Sequence, residues 1–271
     1  MSWLESILYG LVVGFADFLP ISSFAHSHIL SKLFGEATPN PVVDLFVHIA
    51  ILVAVLQANR SILEQAKRQR TNMRHRHETT ESTAILEMRF LKNAILPMFL
   101  AFFLLRYVVS SGLGLAWVAL FSLINGILLF SQGRMMKGNK GARSLSGLDS
   151  VLAGFAGGIF VFPGISRISA ILTVLTARGV DKDKAADWTI LLSLPALVLI
   201  ILNDLLNILA ASGSFGFPFL NCILAGIFAY VSGNFAIRVF KRIAAARDFS
   251  GFAYYSWGIA LFAFILYLTI V

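Results

Sequence analysis

Two short stretches decide how this chain is read: Leu19-Pro20-Ile21-Ser22-Ser23 and Phe162-Pro163-Gly164-Ile165-Ser166-Arg167. Each interrupts an apolar region, at 2–34 and 151–178. Proline removes a backbone donor and clashes with the preceding turn, so it ends a helix. A serine just beyond accepts a free backbone N–H and starts the next helix. Each region is therefore expected to form two half-helices. The plainer expectation is a pair of kinked spans with no site at the kink.

Outward from these breaks lie six uninterrupted apolar runs, at 41–59, 94–110, 114–132, 188–211, 219–238 and 252–271. Each is long enough to cross roughly 30 Å of hydrocarbon. Composition agrees. The 271 residues are 58% hydrophobic and 13% charged, with mean hydropathy +0.80, whereas soluble domains carry about 25% charged residues. Met1 to Gly10 carries Glu5 and no basic stretch, unlike a cleaved signal peptide. Cys222 is the single cysteine, which excludes a disulfide framework and a thiolate metal site within the chain.

Charge placement orients the spans. All of the 22 Lys and Arg except Lys32, Arg106 and Arg167 fall in segments 60–92, 134–143, 178–184 and 238–247. Short basic loops stay in the cytoplasm, so the segments at 35–40, 111–113 and 212–218, whose one charge is Glu36, are expected outside. The net charge of +8 then reflects orientation and contact with anionic lipid rather than nucleic acid. Six spans satisfy this pattern only if 2–34 begins and ends outside while 151–178 begins and ends inside. The expected fold is an all-α integral membrane protein, with six transmembrane helices plus two re-entrant hairpins entering from opposite faces. It reads as one membrane domain, an inverted-topology repeat with halves of about 1–135 and 145–271 and a cytoplasmic basic loop at 60–92. Leu96-Pro97 and Leu194-Pro195 occupy matching places in the two halves. Paired broken helices in an inverted repeat point to a binding site.

Ionisable groups at membrane depth cost about 2.5–3.5 kcal/mol each on insertion scales, so they need a reason. The first break has Asp17, Ser22, Ser23 and His26; the second has Ser166, Arg167 and Ser169. His26 follows Ser23 by three residues, which puts both on one helix face, with Asp17 just before the break. Hydroxyl, imidazole and carboxylate make a nucleophile, base and orienter set. Arg167 supplies a planar cation suited to phosphate oxygens, and two helix N-termini favour an anion between them. Ser22, Ser166 and Ser169 are candidate substrate-binding hydroxyls, with helix–helix hydrogen bonding as their plainer role. Asp44 and His48, spaced i, i+4, are expected to brace two helices more than to bind metal. Arg106 is expected to snorkel, and Asp204 to join Asn203 and Asn207 in an outer-end polar cluster.

At these residues the sequence resembles the bacterial undecaprenyl-diphosphate phosphatase family, known for bacitracin resistance. Asp17-Phe18-Leu19-Pro20-Ile21-Ser22-Ser23-Phe24-Ala25-His26 is similar to the family's E-F-L-P-V-S-S-T-G-H, and Pro163-Gly164-Ile165-Ser166-Arg167-Ile168-Ser169 to P-G-x-S-R-S-G. Asp44 to Ile49 resembles F-D-V-x-x-H-L-G, and Leu191 to Pro195 resembles F-L-L-x-x-P. The resemblance implies a hydrolase that removes the terminal phosphate of a polyprenyl diphosphate at the bacterial inner membrane, recycling the lipid carrier of cell-wall synthesis. It implies Ser23 as nucleophile, His26 as acid/base, Asp17 in place of a catalytic Glu, and Ser166 and Arg167 on the diphosphate. It also implies a divalent cation, Mg²⁺ or Ca²⁺, with Asp17 as a ligand; a homodimer is left open. The family's second Glu, four residues before the first, is Val13 here, and its upstream Gln is Gly157. These departures keep two rivals in view: a lipid-phosphate transporter on the same scaffold, and a binding protein without turnover.

Overall fold

The computed structural model describes residues 1–36, 38–76, 82–109, 114–135, 138–210, 219–246 and 249–270. Among them are eleven α-helices: α1 (Trp3–Ala16), α2 (Ser23–Leu33), α3 (Pro41–Ala58), α4 (Arg60–Arg76), α5 (Thr83–Val109), α6 (Leu115–Arg134), α7 (Gly147–Gly157), α8 (Arg167–Ala177), α9 (Lys182–Ala210), α10 (Phe219–Ala246) and α11 (Ser250–Ile270). Six of them, α3, α5, α6, α9, α10 and α11, are long and apolar enough to cross a membrane. Their outward faces are apolar, as at Leu96, Leu100 and Leu104 of α5. In water such faces would be a liability; against lipid they cost nothing.

Both decisive stretches break the chain. Ser22 caps α2 by accepting from the Ala25 N–H at 3.2 Å, and Ser166 caps α8 by accepting from the Ser169 N–H at 3.4 Å. The leading helices start alike too. Ser2 with Glu5, and Ser146 with Asp149, form capping boxes at the starts of α1 and α7. Pro97 and Pro195, by contrast, lie inside the continuous helices α5 and α9.

The broken elements dock through small residues. α1 packs on α10 and α7 on α5. A Cβ on Gly10 would stand 2.2 Å from the Ala225 carbonyl oxygen, and one on Gly14 2.5 Å from that of Ala229. A Cβ on Gly154 would stand 2.2 Å from the Ala94 carbonyl oxygen, and one on Gly158 2.6 Å from that of Met98. Lipid tails are as apolar as leucine, so backbones brought this close are what hold such helices together. α6 pairs with α11, and α3 lies between α9 and α10.

One expectation is corrected. The basic segment 60–92 is helical on both sides of residues 77–81, which lie outside the described set. Its Arg, Lys, Gln and Glu are strong helix formers, and Arg60 donates to Glu64 one turn on at 2.7 Å. The expected outer segments 111–113 and 212–218 also lie outside the described residues.

Candidate active site

The two breaks meet, and backbone chemistry holds them together. The Gly164 N–H donates to Ser22 Oγ at 3.0 Å, and Ser166 Oγ donates to the Leu19 carbonyl at 3.3 Å. Gly164 sits at φ +125°, and a Cβ there would stand 2.6 Å from the Ser122 nitrogen, so only glycine allows this approach. Asn125 of α6 completes the joint. Its amide nitrogen donates to the Pro20 carbonyl at 3.1 Å and to Ser256 Oγ at 3.0 Å. Its oxygen accepts from the Ser166 N–H at 3.0 Å and from the Ser169 hydroxyl. Buried amides cost free energy when unpaired, and Asn125 leaves no atom idle. The serines expected to bind substrate, Ser22, Ser166 and Ser169, spend their hydroxyls on caps and on this joint.

Above the joint sits a buried ion pair. Arg167 opens α8 and reaches back to Asp17, which ends α1. Nη1 donates to Oδ1 at 2.9 Å, and Nη2 to Oδ2 at 2.6 Å and to the Asp17 carbonyl at 3.3 Å. The two residues are 4% and 2% exposed. The guanidinium lies over the Phe18 ring, 5.9 Å from its centroid, and its Nε approaches Ser193 Oγ at 3.5 Å. Ser193 belongs to the Leu191–Pro195 stretch; a polar residue two positions before a proline in an apolar run was its only signal. Burying two charges is repaid only by geometry of this two-pronged kind.

Ser23 Oγ donates to Asp17 Oδ1 at 2.9 Å. Asp17, Ser23 and Arg167 therefore converge, as expected. His26 does not join them. Its Nδ1 bonds the Ser22 carbonyl at 2.6 Å and its Nε2 the Tyr255 hydroxyl at 2.7 Å, and its ring stacks on Tyr255 at 5.8 Å. Nδ1 must carry the proton to bond a carbonyl, so Nε2 accepts from the tyrosine. The expected Ser23–His26 hydrogen bond is replaced by Ser23–Asp17. Asp17 stands beside the hydroxyl, and α11, far along the chain, turns the imidazole away.

His26 instead borders an apolar cavity of about 1080 Å³ between α1, α10 and α11, lined by Leu11, Phe15, Phe235, Phe252 and Tyr255 among others, with Arg238 also on its wall. The space among Asp17, Ser23, Ser166 and Arg167 is only about 10 Å³, room for one water. In this conformation the ion pair closes the polar site.

A second buried cluster lies nearby. The Tyr9 hydroxyl donates to Asp44, and His48 Nδ1 bonds Asp204 Oδ2 at 2.6 Å. This braces α1, α3 and α9, as expected of Asp44 and His48. Asp204, expected at the outer end, is 1% exposed and part of the brace, because a buried imidazole needs a partner. Arg106 bonds Asn207 at 3.0 Å.

The donor set can be set against a divalent cation. Both Asp17 oxygens are taken by Arg167, the second carboxylate position is the buried Val13, and among the described residues no three His, Cys, Asp or Glu side chains gather. One carboxylate already neutralised by a guanidinium does not fit a resident Mg²⁺ or Ca²⁺, which takes several oxygen ligands.

Comparison with known proteins gives the family. The family model "Bacitracin resistance protein BacA" matches residues 6–262. The undecaprenyl-diphosphatase of Carboxydothermus hydrogenoformans is 27% identical over 260 residues, covering 95% of this chain and 94% of the relative. That of Treponema denticola is 28% identical over 265 residues, 94% of each chain. That of Syntrophotalea carbinolica is 29% identical over 270 residues, 95% of this chain and 96% of the relative. With six apolar helices and a match along nearly its whole length, the chain is a multi-pass membrane protein and belongs to the BacA bacitracin resistance family.

Proposed function

We propose that the chain hydrolyses undecaprenyl diphosphate to the monophosphate, with Ser23 as nucleophile, Asp17 as its base and Arg167 as the phosphate clamp. The observation that carries this is the shared carboxylate: Asp17 accepts from the Ser23 hydroxyl and from Arg167 at once. The terminal phosphate competes with Asp17 for the guanidinium. Once the phosphate holds Arg167, both Asp17 oxygens are free of the guanidinium and one remains beside the Ser23 hydroxyl. Ser23 Oγ then bonds the terminal phosphorus, its proton passes to Asp17, and the bond from phosphorus to the bridging oxygen breaks, releasing prenyl monophosphate. Asp17 passes that proton to the departing monophosphate oxygen. Water then bonds the phosphorus of the phosphoserine. Asp17 takes the water proton and returns it to Ser23 Oγ as the bond from phosphorus to Oγ breaks, and inorganic phosphate is released. No step runs through a metal. The apolar cavity beside His26 takes part of the prenyl chain, and His26 with Tyr255 stands where chain and headgroup meet.

We also place the two broken elements as re-entrant hairpins of an inverted repeat in one membrane domain. Matching capping boxes and serine-capped breaks support this, and so does the matched packing of α1 on α10 and α7 on α5. In this reading the membrane is the bacterial inner membrane, with the basic segments cytoplasmic. The names of the curated relatives favour hydrolysis over transport.

Phosphate release from the purified chain in detergent tests the proposal. Ser23→Ala and Arg167→Ala are expected to lose on the order of a hundred- to a thousandfold in rate, and His26→Ala about tenfold. Unchanged rates for Ser23→Ala and Arg167→Ala would remove the catalytic assignment. A larger loss in His26→Ala than in Asp17→Asn would return the base to the imidazole.

A further inference from the structure

The basic helix α4 and the first turns of α5 enclose a groove of about 480 Å³ that shares no lining residue with the polar site. Its walls are two helical stripes. Leu63, Ala66, Lys67, Arg70 and Thr71 recur at i, i+3, i+4, i+7 and i+8 along α4, and Met88, Leu91, Lys92 and Ile95 at i, i+3, i+4 and i+7 along α5. These spacings turn each set to one face.

The groove is amphiphilic. Among the described residues three cations line it and no acid does. Of the neighbouring acids among the described residues, Glu64 is engaged with Arg60 at 2.7 Å and Glu87 with the Trp188 indole at 3.1 Å. Among the described residues Lys67, Arg70 and Lys92 make no ion pair. The floor is apolar, and below Ile95 the apolar exterior of α5 continues through Leu96 and Leu100, 66% and 62% exposed. A ligand matching these walls has an anionic head of phosphate type and a hydrocarbon tail leaving along α5. A free anion would use the cations and leave the floor uncovered. A zwitterionic lipid would bring its own cation into a site with no carboxylate among its described lining residues.

We propose that this groove is a binding site for one anionic phospholipid. Its phosphate is held by Lys67, Arg70 and Lys92, and its acyl chain lies on Leu91 and Ile95. The site is independent of the phosphatase reading.

Native mass spectrometry of the full chain in detergent, with phosphatidylglycerol as probe, tests it. One retained lipid is expected for the wild type. Lys67→Gln/Arg70→Gln/Lys92→Gln should bind about a hundredfold more weakly, at roughly fivefold per cation. A control that removes three cations elsewhere, Arg68→Gln/Arg143→Gln/Arg242→Gln, should stay within about threefold of wild type by the same reasoning. Phosphatidylcholine should not be retained, and glycerol phosphate should not displace the lipid. Equal binding by the groove variant overturns the proposal. So does equal loss in the control, which means diffuse charge, or displacement by glycerol phosphate, which means an anion site without a tail. The substituted side chains are exposed, so folding should survive; if it does not, Arg70→Gln and Lys92→Gln alone should each cost about fivefold.

Discussion

The two broken elements, α1–α2 and α7–α8, are built alike and charged oppositely. Each opens with a serine capping box, runs a short helix with two closely packed glycines in it or at its C-cap, breaks at a proline and restarts under a serine cap. At the breaks they exchange hydrogen bonds, Ser22 with Gly164 and Ser166 with Leu19. Yet the first presents Asp17 and Ser23 and the second presents Arg167. Two copies of one device would give a symmetric joint with no chemistry. Dividing the charges makes an asymmetric joint, because carboxylate and hydroxyl come from one side and the guanidinium from the other.

A charge swap is the strongest way to break this comparison. In Asp17→Arg/Arg167→Asp the buried pair is retained with its polarity reversed, so the fold should survive, whereas either single change leaves a charge buried alone at a cost of about 3–5 kcal/mol. Activity should nevertheless stay on the order of a thousandfold below wild type, because the hydroxyl of Ser23 would then stand beside a cation. Thermal unfolding and phosphate release, measured on the same samples, separate the two effects. A swapped chain that still turns over would mean that the sides are interchangeable, and that Asp17 is a structural partner rather than a base.

The likeness of the two elements was legible because it rests on local rules. Proline stops a helix and serine restarts it whatever surrounds them, and apolar runs mark spans by length. The meeting of Asp17, Ser23 and Arg167 was legible because membrane charges need partners. What was hidden depends on distant neighbours. Asn125 sits in an apolar run with nothing to mark it, and becomes the centre of the joint only when both tips arrive. Spacing put His26 beside Ser23, but the Ser22 carbonyl and Tyr255 on α11 fix its ring instead. Tyr9 and Asp204 likewise gain their meaning only where α1, α3 and α9 converge. The paired glycines could have been seen, as G-x-x-x-G at Gly10 and Gly14 and again at Gly154 and Gly158.

Those glycines sharpen the comparison at a smaller scale. Gly10→Ala and Gly154→Ala each place a Cβ 2.2 Å from a backbone carbonyl oxygen, which neither partner helix can yield without moving. Each is expected to destabilise by about 1–3 kcal/mol, the usual cost of overpacking. Gly258→Ala in α11, with nothing within 4 Å of the added carbon, should be neutral or slightly stabilising, since alanine favours helix over glycine. Melting in detergent checks all three. If one of the first two is tolerated, its element is not held by close backbone packing and the likeness ends there.

The smallest difference lies at the bases, where an ion pair joins the start of each element to its end. The Met1 ammonium meets Glu36 at 3.2 Å, with the glutamate half-exposed. Asp149 is buried and meets Arg178 at 2.7 Å and Lys140 at 3.4 Å, beside a backbone bridge between Lys140 and Val180. Burial works against the Asp149 charge, but hydrogen bonds from Ser146 and Arg178 and the charge of Lys140 outweigh it and hold the carboxyl down to about 2. A carboxyl held below its unfolded value of about 3.9 stabilises the fold above that pH, and the contribution fades as pH falls toward the folded value. Asp149→Asn should therefore lower stability at pH 7 by about 1–2 kcal/mol, allowing for its partly open partners. It should also flatten the loss of stability between pH 4 and pH 2, in the window of about 3.9 to 2. Glu36→Gln should cost about 0–1 kcal/mol, as exposed pairs do. Melting against pH for both variants decides it. Equal costs would show that burial does not distinguish the two clasps, and that the second element is no more firmly closed than the first.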